Sequence, residues 1–472
     1  MKYFEKETIS KFFAEGLMTV THNDFAGHPL GKIKLKRNRK LDLILEVSFP
    51  GFAEDRKVLY EAGTVRQPTE GIRFDHGAGF SGIAKGVVFH GTKHVSGRNI
   101  VSESTFYYSA NSVELDFKRE EKTQHIIEWV DNVSHGFIWP DRTRVDGVEE
   151  YAETIGSGNA EIRMSSSPDF GGGTSVLHVT VAGIDLYVLH SHSKDRKGRK
   201  GKIVYKGCPD QGFRDKIRTC LSFALGLPIV YYGHTEYCGS WMPNFMKSID
   251  ALSINGALFS LIDQPPYPLY SKYLNMIEKE ILNDVVNSIF KNYDALDFNT
   301  LSWNYWYAVC APMHTSAVYF GGLIERIQRA KGNAPKSSRN KSLDEATWKP
   351  IQSLIIDHLN KIDVDPSALS IIRGKVSSLN QAPPGLVLNR VLQAMGMSMS
   401  DIEEKAWKHR NMAAHGSVSD DPKEMIANSK ILKLLFHRLI AGMTYCSDKY
   451  IDYYSIKHPV RLISEAIPNQ SK

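Results

Sequence analysis

The hydrophobic pattern of this chain changes period near residue 269, and that change limits its fold to two unlike parts. Before it, runs such as Lys32–Lys36, Leu41–Val47, Gly86–His90, Ser104–Tyr108, Ser112–Phe117, Glu161–Met164, Ser175–Val181 and Asp185–Leu189 alternate apolar with polar residues or concentrate β-branched and aromatic ones. Gly, Asn, Asp and Pro separate them at short intervals, as in an antiparallel sandwich or barrel. A short helix at about 5–15 precedes these runs, and Lys194–Lys202 (KDRKGRKGK) reads as a charged hairpin tip or loop. Phe213, Ile217, Cys220, Leu221 and Ala224 fall at helical spacing, and Gly226, Leu227 and Pro228 should stop that helix.

After residue 269 the spacing is helical. Helices are predicted over about 270–293, 300–331, 345–361, 366–376, 385–396, 400–414 and 422–453, with a polar, basic loop at Gly332–Ser342. Pro265, Pro266 and Pro268 mark an irregular connection. The expected architecture is an α+β multidomain chain. A β-rich sandwich or barrel-like domain (1–240) leads through a helical connector (241–298) to an all-α bundle (299–472).

Charge divides in the same way. Residues 301–472 hold 22 Lys+Arg and 15 Asp+Glu, leaving 36 and 37 of the chain's 58 and 52 for residues 1–300. The whole basic excess therefore sits in the helical part, where a polyanion is a plausible partner. Five widely spaced cysteines, with no CxxC pair, fit a reducing compartment and argue against structural zinc. The opening MKYFEKETISKFF lacks the apolar core of a secretion signal. The stretch free of charged residues from Leu301 to Ile324 contains Asn304, Pro312 and His314, so a buried helix is expected rather than a membrane span. A cytoplasmic location follows as an expectation.

Two helix starts near the end are well marked. Ser400 with Glu403 makes a capping box, and Asp421, Pro422 and Glu424 make a second start with Pro at the first helical position. The first of these helices should end near His415, with Gly416 as a left-handed cap. On it lies the string Arg410-Asn411-x-x-x-His415. About two arginine-to-histidine strings with four to six intervening residues are expected by chance in such a chain. Two occur, the other being Arg119–His125 in a strand-like region beside Glu120 and Glu121, which reads as a chance match.

The residue types at 410–415 suit metal-independent RNA cleavage. A 2′-hydroxyl must lose its proton as it attacks phosphorus, and an imidazole can take that proton or supply one to the leaving 5′-oxygen. An arginine fork offers two parallel donors to the charge that builds on the phosphoryl oxygens. Asn411 would orient the histidine or bind a phosphate oxygen. Five residues turn an ideal helix by about 500°, so the two side chains start roughly 140° apart. They converge only if the helix end distorts or if two copies share the site about a twofold axis. In the competing reading Arg410 is a solvated helix-end residue and His415 a cap or core histidine.

Lys408 to Gly416 (KHRNMAAHG) resembles the signature of the HEPN superfamily, helical bundles that dimerise and often cut RNA. The helix at about 300–331, with Glu325 near its end, resembles that family's long opening helix. A β-rich half followed by Leu221–Gly233 (LSFALGLPIVYYG) and such a bundle resembles the ApeA-type proteins of bacterial antiphage defence. The resemblance implies that Arg410, Asn411 and His415 are catalytic, that the chain forms a homodimer, that its substrate is RNA (tRNA or another cellular RNA), and that its first half senses a phage-derived trigger. It implies no cofactor, no metal and no membrane. The alternative is a non-catalytic RNA-binding or dimerisation module fused to a β-rich ligand-binding domain.

Other signals lead less far. Gly77–Gly82 matches GxGxxG, but Ile83–Phe89 reads as a strand where a dinucleotide fold needs a helix. His190, His192 and Asp195 lack a fourth metal ligand and read as a surface hairpin. Trp303, Tyr305, Trp306 and Tyr307 read as helix core.

Overall fold

In the computed structural model the described residues are 7–469 apart from 14–15, 22–29, 39–40, 51–70, 78, 96–102, 134–138, 149, 157–159, 167–174, 191–199, 252–260, 270–275, 331–340 and 415–420. The chain divides into two compact units, residues 1–264 with 269–283 and residues 265–268 with 284–472.

The first unit is a large antiparallel sheet. Fifteen strands join edge to edge, beginning with Asp141–Arg142 and continuing through Ser175–Val181, Ile184–His190, Gly201–Lys206, Thr123–Asp131, Val230–Cys238, Pro243–Ile249 and Ser112–Asp116. The ladder goes on through Phe80–Lys85, Ile72–His76, Met18–Thr21, Leu30–Arg37, Leu43–Pro50 and Glu103–Ala110 to Val88–Val95. Alternation sets which face is buried: in Glu103–Ala110 every second residue is in the interior. Among the described residues two separate apolar cores result. One gathers Phe13, Leu45, Phe74, Phe106 and Leu115. The other gathers Trp129, Val176, Tyr187, Val204 and Trp241.

The expected strands are present, with ends moved by a few residues. The GxGxxG run is a strand-turn-strand element: Gly79 sits at φ +95° between Ile72–His76 and Phe80–Lys85. Residues 243–249 form a sheet strand, within the stretch read from sequence as a helical connector. His190 ends a strand, whereas His192, Asp195 and most of Lys194–Lys202 lie outside the described residues.

Among the described residues two helices lie wholly in this unit, α1 (Ile9–Phe12) and α2 (Gln211–Leu225). Asp210 caps α2 by accepting from Phe213 N, and Gly226 ends it at φ +70°. A buried ionic cluster ties α2 to the sheet. Arg214 Nε donates to Glu128 Oε1 at 2.9 Å, Arg218 donates to the same oxygen, and Tyr205 OH donates to Glu128 Oε2 at 3.0 Å. Arg119–His125, the second motif match, is structural: Arg119 Nε donates to Pro243 O, and His125 stacks on Trp241 at 4.6 Å.

The remaining helices are α3 (Lys279–Lys291), which crosses the division between the units, α4 (Tyr293–Leu296), α5 (Phe298–Cys310), α6 (Met313–Arg329), α7 (Glu345–Leu359), α8 (Pro366–Ser378), α9 (Pro384–Ala394), α10 (Asp401–Ala414) and α11 (Pro422–Thr444). The single helix expected over 300–331 is two, because Ala311 turns extended (ψ 146°) before Pro312, whose ring cannot continue a helix. The last helix stops at Thr444, earlier than the sequence spacing implied; Tyr445 is left-handed, and the hairpin Lys449–Ile451 with Val460–Leu462 follows. No described helix is long and apolar enough to cross a membrane.

Candidate functional site

The helix that carries the motif, α10, is fixed at its start. Ser400 N donates to Glu403 Oε2 at 2.9 Å, the glutamate half of the anticipated capping box. The other oxygen of Glu403 accepts from Arg438 Nη1 of α11 at 2.5 Å, and both side chains are fully buried. Arg438 also donates to Ile463 O and Ser398 O, so its charge is well satisfied. Buried ion pairs are tolerated only with such additional bonds.

The other end of α10 is held by α6 and α11. His409 Nε2 lies 3.7 Å from Glu424 Oε2, and Lys405 Nζ lies 2.8 Å from Glu424 Oε1. Asp421, as foreseen, caps α11 by accepting from Lys423 N at 2.9 Å.

Arg410 is not a solvated helix-end residue. It is only 5% exposed. Its Cζ lies 3.4 Å from the centroid of the Trp407 ring, so the guanidinium stacks on the indole. Nη1 donates to Glu325 Oε1 at 2.6 Å and approaches Gly321 O at 3.5 Å. Gly321 makes this approach possible, because a Cβ there would stand 2.5 Å from Arg410 Cδ. Among the described residues, neither Nε nor Nη2 of Arg410 has a hydrogen-bond partner. Burial pulls the Arg410 pKa below the usual arginine value, against the opposing pull of Glu325.

A buried cation with two idle donors is costly in isolation, and an incoming anion is what such donors favour. Glu325 also lines a cleft of about 570 Å³ with Asp297, Asn304, Tyr319, Arg326 and Arg329. Arg326 is paired there with Asp297, and Arg329 stands 3.6 Å from Glu325.

Asn411 lies within α10 one residue after Arg410. His415 and Gly416 lie outside the described residues. The structure therefore holds Arg410 between α10 and α6, against Trp407, Gly321 and Glu325. Sequence reading gave no role to Trp407 or Gly321, placed Glu424 only in a helix start, and noted Glu325 only through resemblance. Gly321-Gly322 inside a helical stretch was the available signal, since glycine disfavours helices and often marks a close contact. Of the four aromatics assigned to core, Tyr305 and Trp306 are buried, but Trp303 and Tyr307 are 39% and 37% exposed and meet edge to face. Among the described residues no three of His, Cys, Asp and Glu come together as a metal-binding set.

Compared with protein-family models, curated proteins and solved structures, the chain matches none.

Proposed function

We propose that this chain is a HEPN-type, ApeA-like endoribonuclease of antiviral defence, working without metal as a homodimer in the cytoplasm and triggered through its β-rich half. The observation that carries the reading is the state of Arg410: a buried guanidinium, anchored through Nη1 by Glu325, whose Nε and Nη2 have no hydrogen-bond partner among the described residues and would donate to a phosphodiester. The 2′-oxygen of the RNA attacks the adjacent phosphorus while its proton passes to a base. The P–O5′ bond breaks, and the leaving 5′-oxygen takes up a proton. The products are a 2′,3′-cyclic phosphate and a 5′-hydroxyl. His415 serves as one proton-transfer group, and its counterpart in a second copy supplies the other. Asn411 orients the imidazole or binds a phosphate oxygen. The positive excess of residues 301–472 favours RNA as the ligand.

The test is incubation of purified protein with cellular RNA in EDTA, with 3′-end analysis of the products. Cleavage that is lost in both Arg410→Ala and His415→Ala supports the proposal; cleavage retained by both removes it. The burial of Arg410 favours a second reading, in which the arginine only braces α6 against α10 and the helical half binds RNA or dimerises without cutting it. That reading expects salt-sensitive RNA binding with no product.

A further inference from the structure

A cleft of about 570 Å³ runs along the outer side of α6, against α4 and α5. One of its walls is Glu325, whose Oε1 accepts from Arg410 Nη1. The other oxygen of Glu325 lies 3.6 Å from Arg329 Nη2. A single carboxylate thus borders both the cleft and the Arg410 guanidinium. The cleavage step proposed above leaves the cleft unused.

Its lining narrows what it can take. Leu296, Val318 and Leu323 make part of it apolar. Its charges cancel, since Arg326 is paired with Asp297 and Arg329 lies beside Glu325. A neutral, flat and partly apolar group suits such a lining better than a phosphate does. Two polar side chains remain to orient it. Tyr319 of α6 is 49% exposed, so its ring is open to a stacking partner. Asn304 of α5 brings an amide, with an acceptor and a donor side by side. Trp303 and Tyr307 stand beside Asn304 on the same helix with their rings also exposed. Open rings along a helix pair are a surface on which unstacked bases can rest.

We propose that this cleft is a specificity subsite for one unpaired adenine of the RNA, seated next to the phosphodiester that Arg410 binds. The inference rests on RNA being the ligand, as read above. Tyr319 stacks on the base. The Asn304 amide meets N6 and N7 along one edge, the bidentate pairing that an amide makes with adenine. Guanine presents two acceptors, O6 and N7, on that edge and calls for an arginine fork instead. The arginine nearest to that role, Arg326, is already held by Asp297, which is itself fixed by accepting from Thr300 Oγ1 at 3.0 Å. A pyrimidine offers one group on the same edge and leaves half of the amide unmet.

The probe is a pair of fluorescein-labelled 2′-O-methyl octamers, one all uridine and one with a single central adenosine, titrated with the full-length chain and read by fluorescence anisotropy. Methylation removes the attacking hydroxyl, so the strands bind without being cut. The wild type should bind the adenosine strand about 10-fold more tightly. Asn304→Ala should bind the two strands alike. Tyr319→Ala should weaken binding of the adenosine strand, and Tyr319→Phe, which keeps the ring, should not. Circular dichroism reports folding of each variant. Equal affinities in the wild type overturn the proposal, and so does a preference that survives in Asn304→Ala. The same two strands with ordinary ribose, incubated in EDTA, separate the subsite from the nuclease reading. An intact preference without cleavage keeps the subsite and removes the nuclease. Cleavage with no bias toward the adenosine removes the subsite and keeps the nuclease.

Discussion

Arg410 Nη1 and Glu325 Oε1 stand 2.6 Å apart, joining the end of α10 to the last turns of α6, and the remaining guanidinium nitrogens of Arg410 have no partner among the described residues. The pairing uses one nitrogen of a planar fork and leaves Nε and Nη2 as unbonded donors. Shape therefore matters as much as charge. Arg410→Lys keeps a cation yet offers a point charge, so the proposed RNA cleavage should fall by about 100-fold or more, close to the loss in Arg410→Ala. Single-turnover cleavage rates check this, and near-wild-type rates for the lysine variant would show that only charge is used.

Removing the anchor tests stability and positioning together. Glu325→Ala leaves a buried guanidinium with Gly321 O, at 3.5 Å, as its remaining acceptor. The folded state should lose about 1–3 kcal/mol, the cost of an unsatisfied buried polar group. Glu325→Gln retains an acceptor and should lose less. Urea denaturation midpoints give both values, and an unchanged midpoint in the alanine variant would mean that the pair is solvated.

Gly321 is the position where sterics and the site meet. Its added Cβ would stand 2.5 Å from Arg410 Cδ, and the arginine would have to shift off the Trp407 ring. Gly321→Ala should improve helix propensity yet cost about 1–3 kcal/mol through overpacking. It should also reduce cleavage, whereas Gly322→Ala meets nothing within 4 Å and should leave cleavage intact. Equal behaviour of the two variants would dissociate the glycine from the site.

Local signals wrote much of this fold into the sequence. The period-2 runs, the Asp421 cap and the Gly226 stop depend on neighbouring residues, and they appear where spacing places them. The break at Ala311–Pro312 was legible too, but a long apolar run masked the proline that causes it. The strand at Pro243–Ile249 was not: it pairs with the adjacent Val230–Cys238 on one side, but its second partner, Ser112–Asp116, lies far away in the chain. Arg410 was singled out for its neighbours in sequence. Its surroundings were not readable, since Glu325 and Gly321 reach it from 85 and 89 residues away. The Glu128 cluster was missed for the same reason: its two arginines come from a helix some 90 residues downstream.

That cluster makes acid stability depend on one carboxylate. Burial alone would raise the Glu128 pKa, but Arg218 and Arg214 outweigh it and hold the carboxyl below its ordinary value of 4.5. A group whose folded pKa is depressed contributes stability that is fully present above its unfolded pKa and is lost as pH falls through the folded one. The stability of the first unit should therefore be level from pH 7 to about 5, then decline below the ordinary carboxylate range. Glu128→Gln removes the charge, leaving Arg214 buried without its counter-ion and Arg218 with Asp215 alone. It should cost about 3–5 kcal/mol at neutral pH. The gap between variant and wild type should narrow as acid protonates the native carboxylate. Urea midpoints measured by tryptophan fluorescence between pH 7 and 3 test this. A gap that stays constant with pH would mean that ionisation of Glu128 is not coupled to folding.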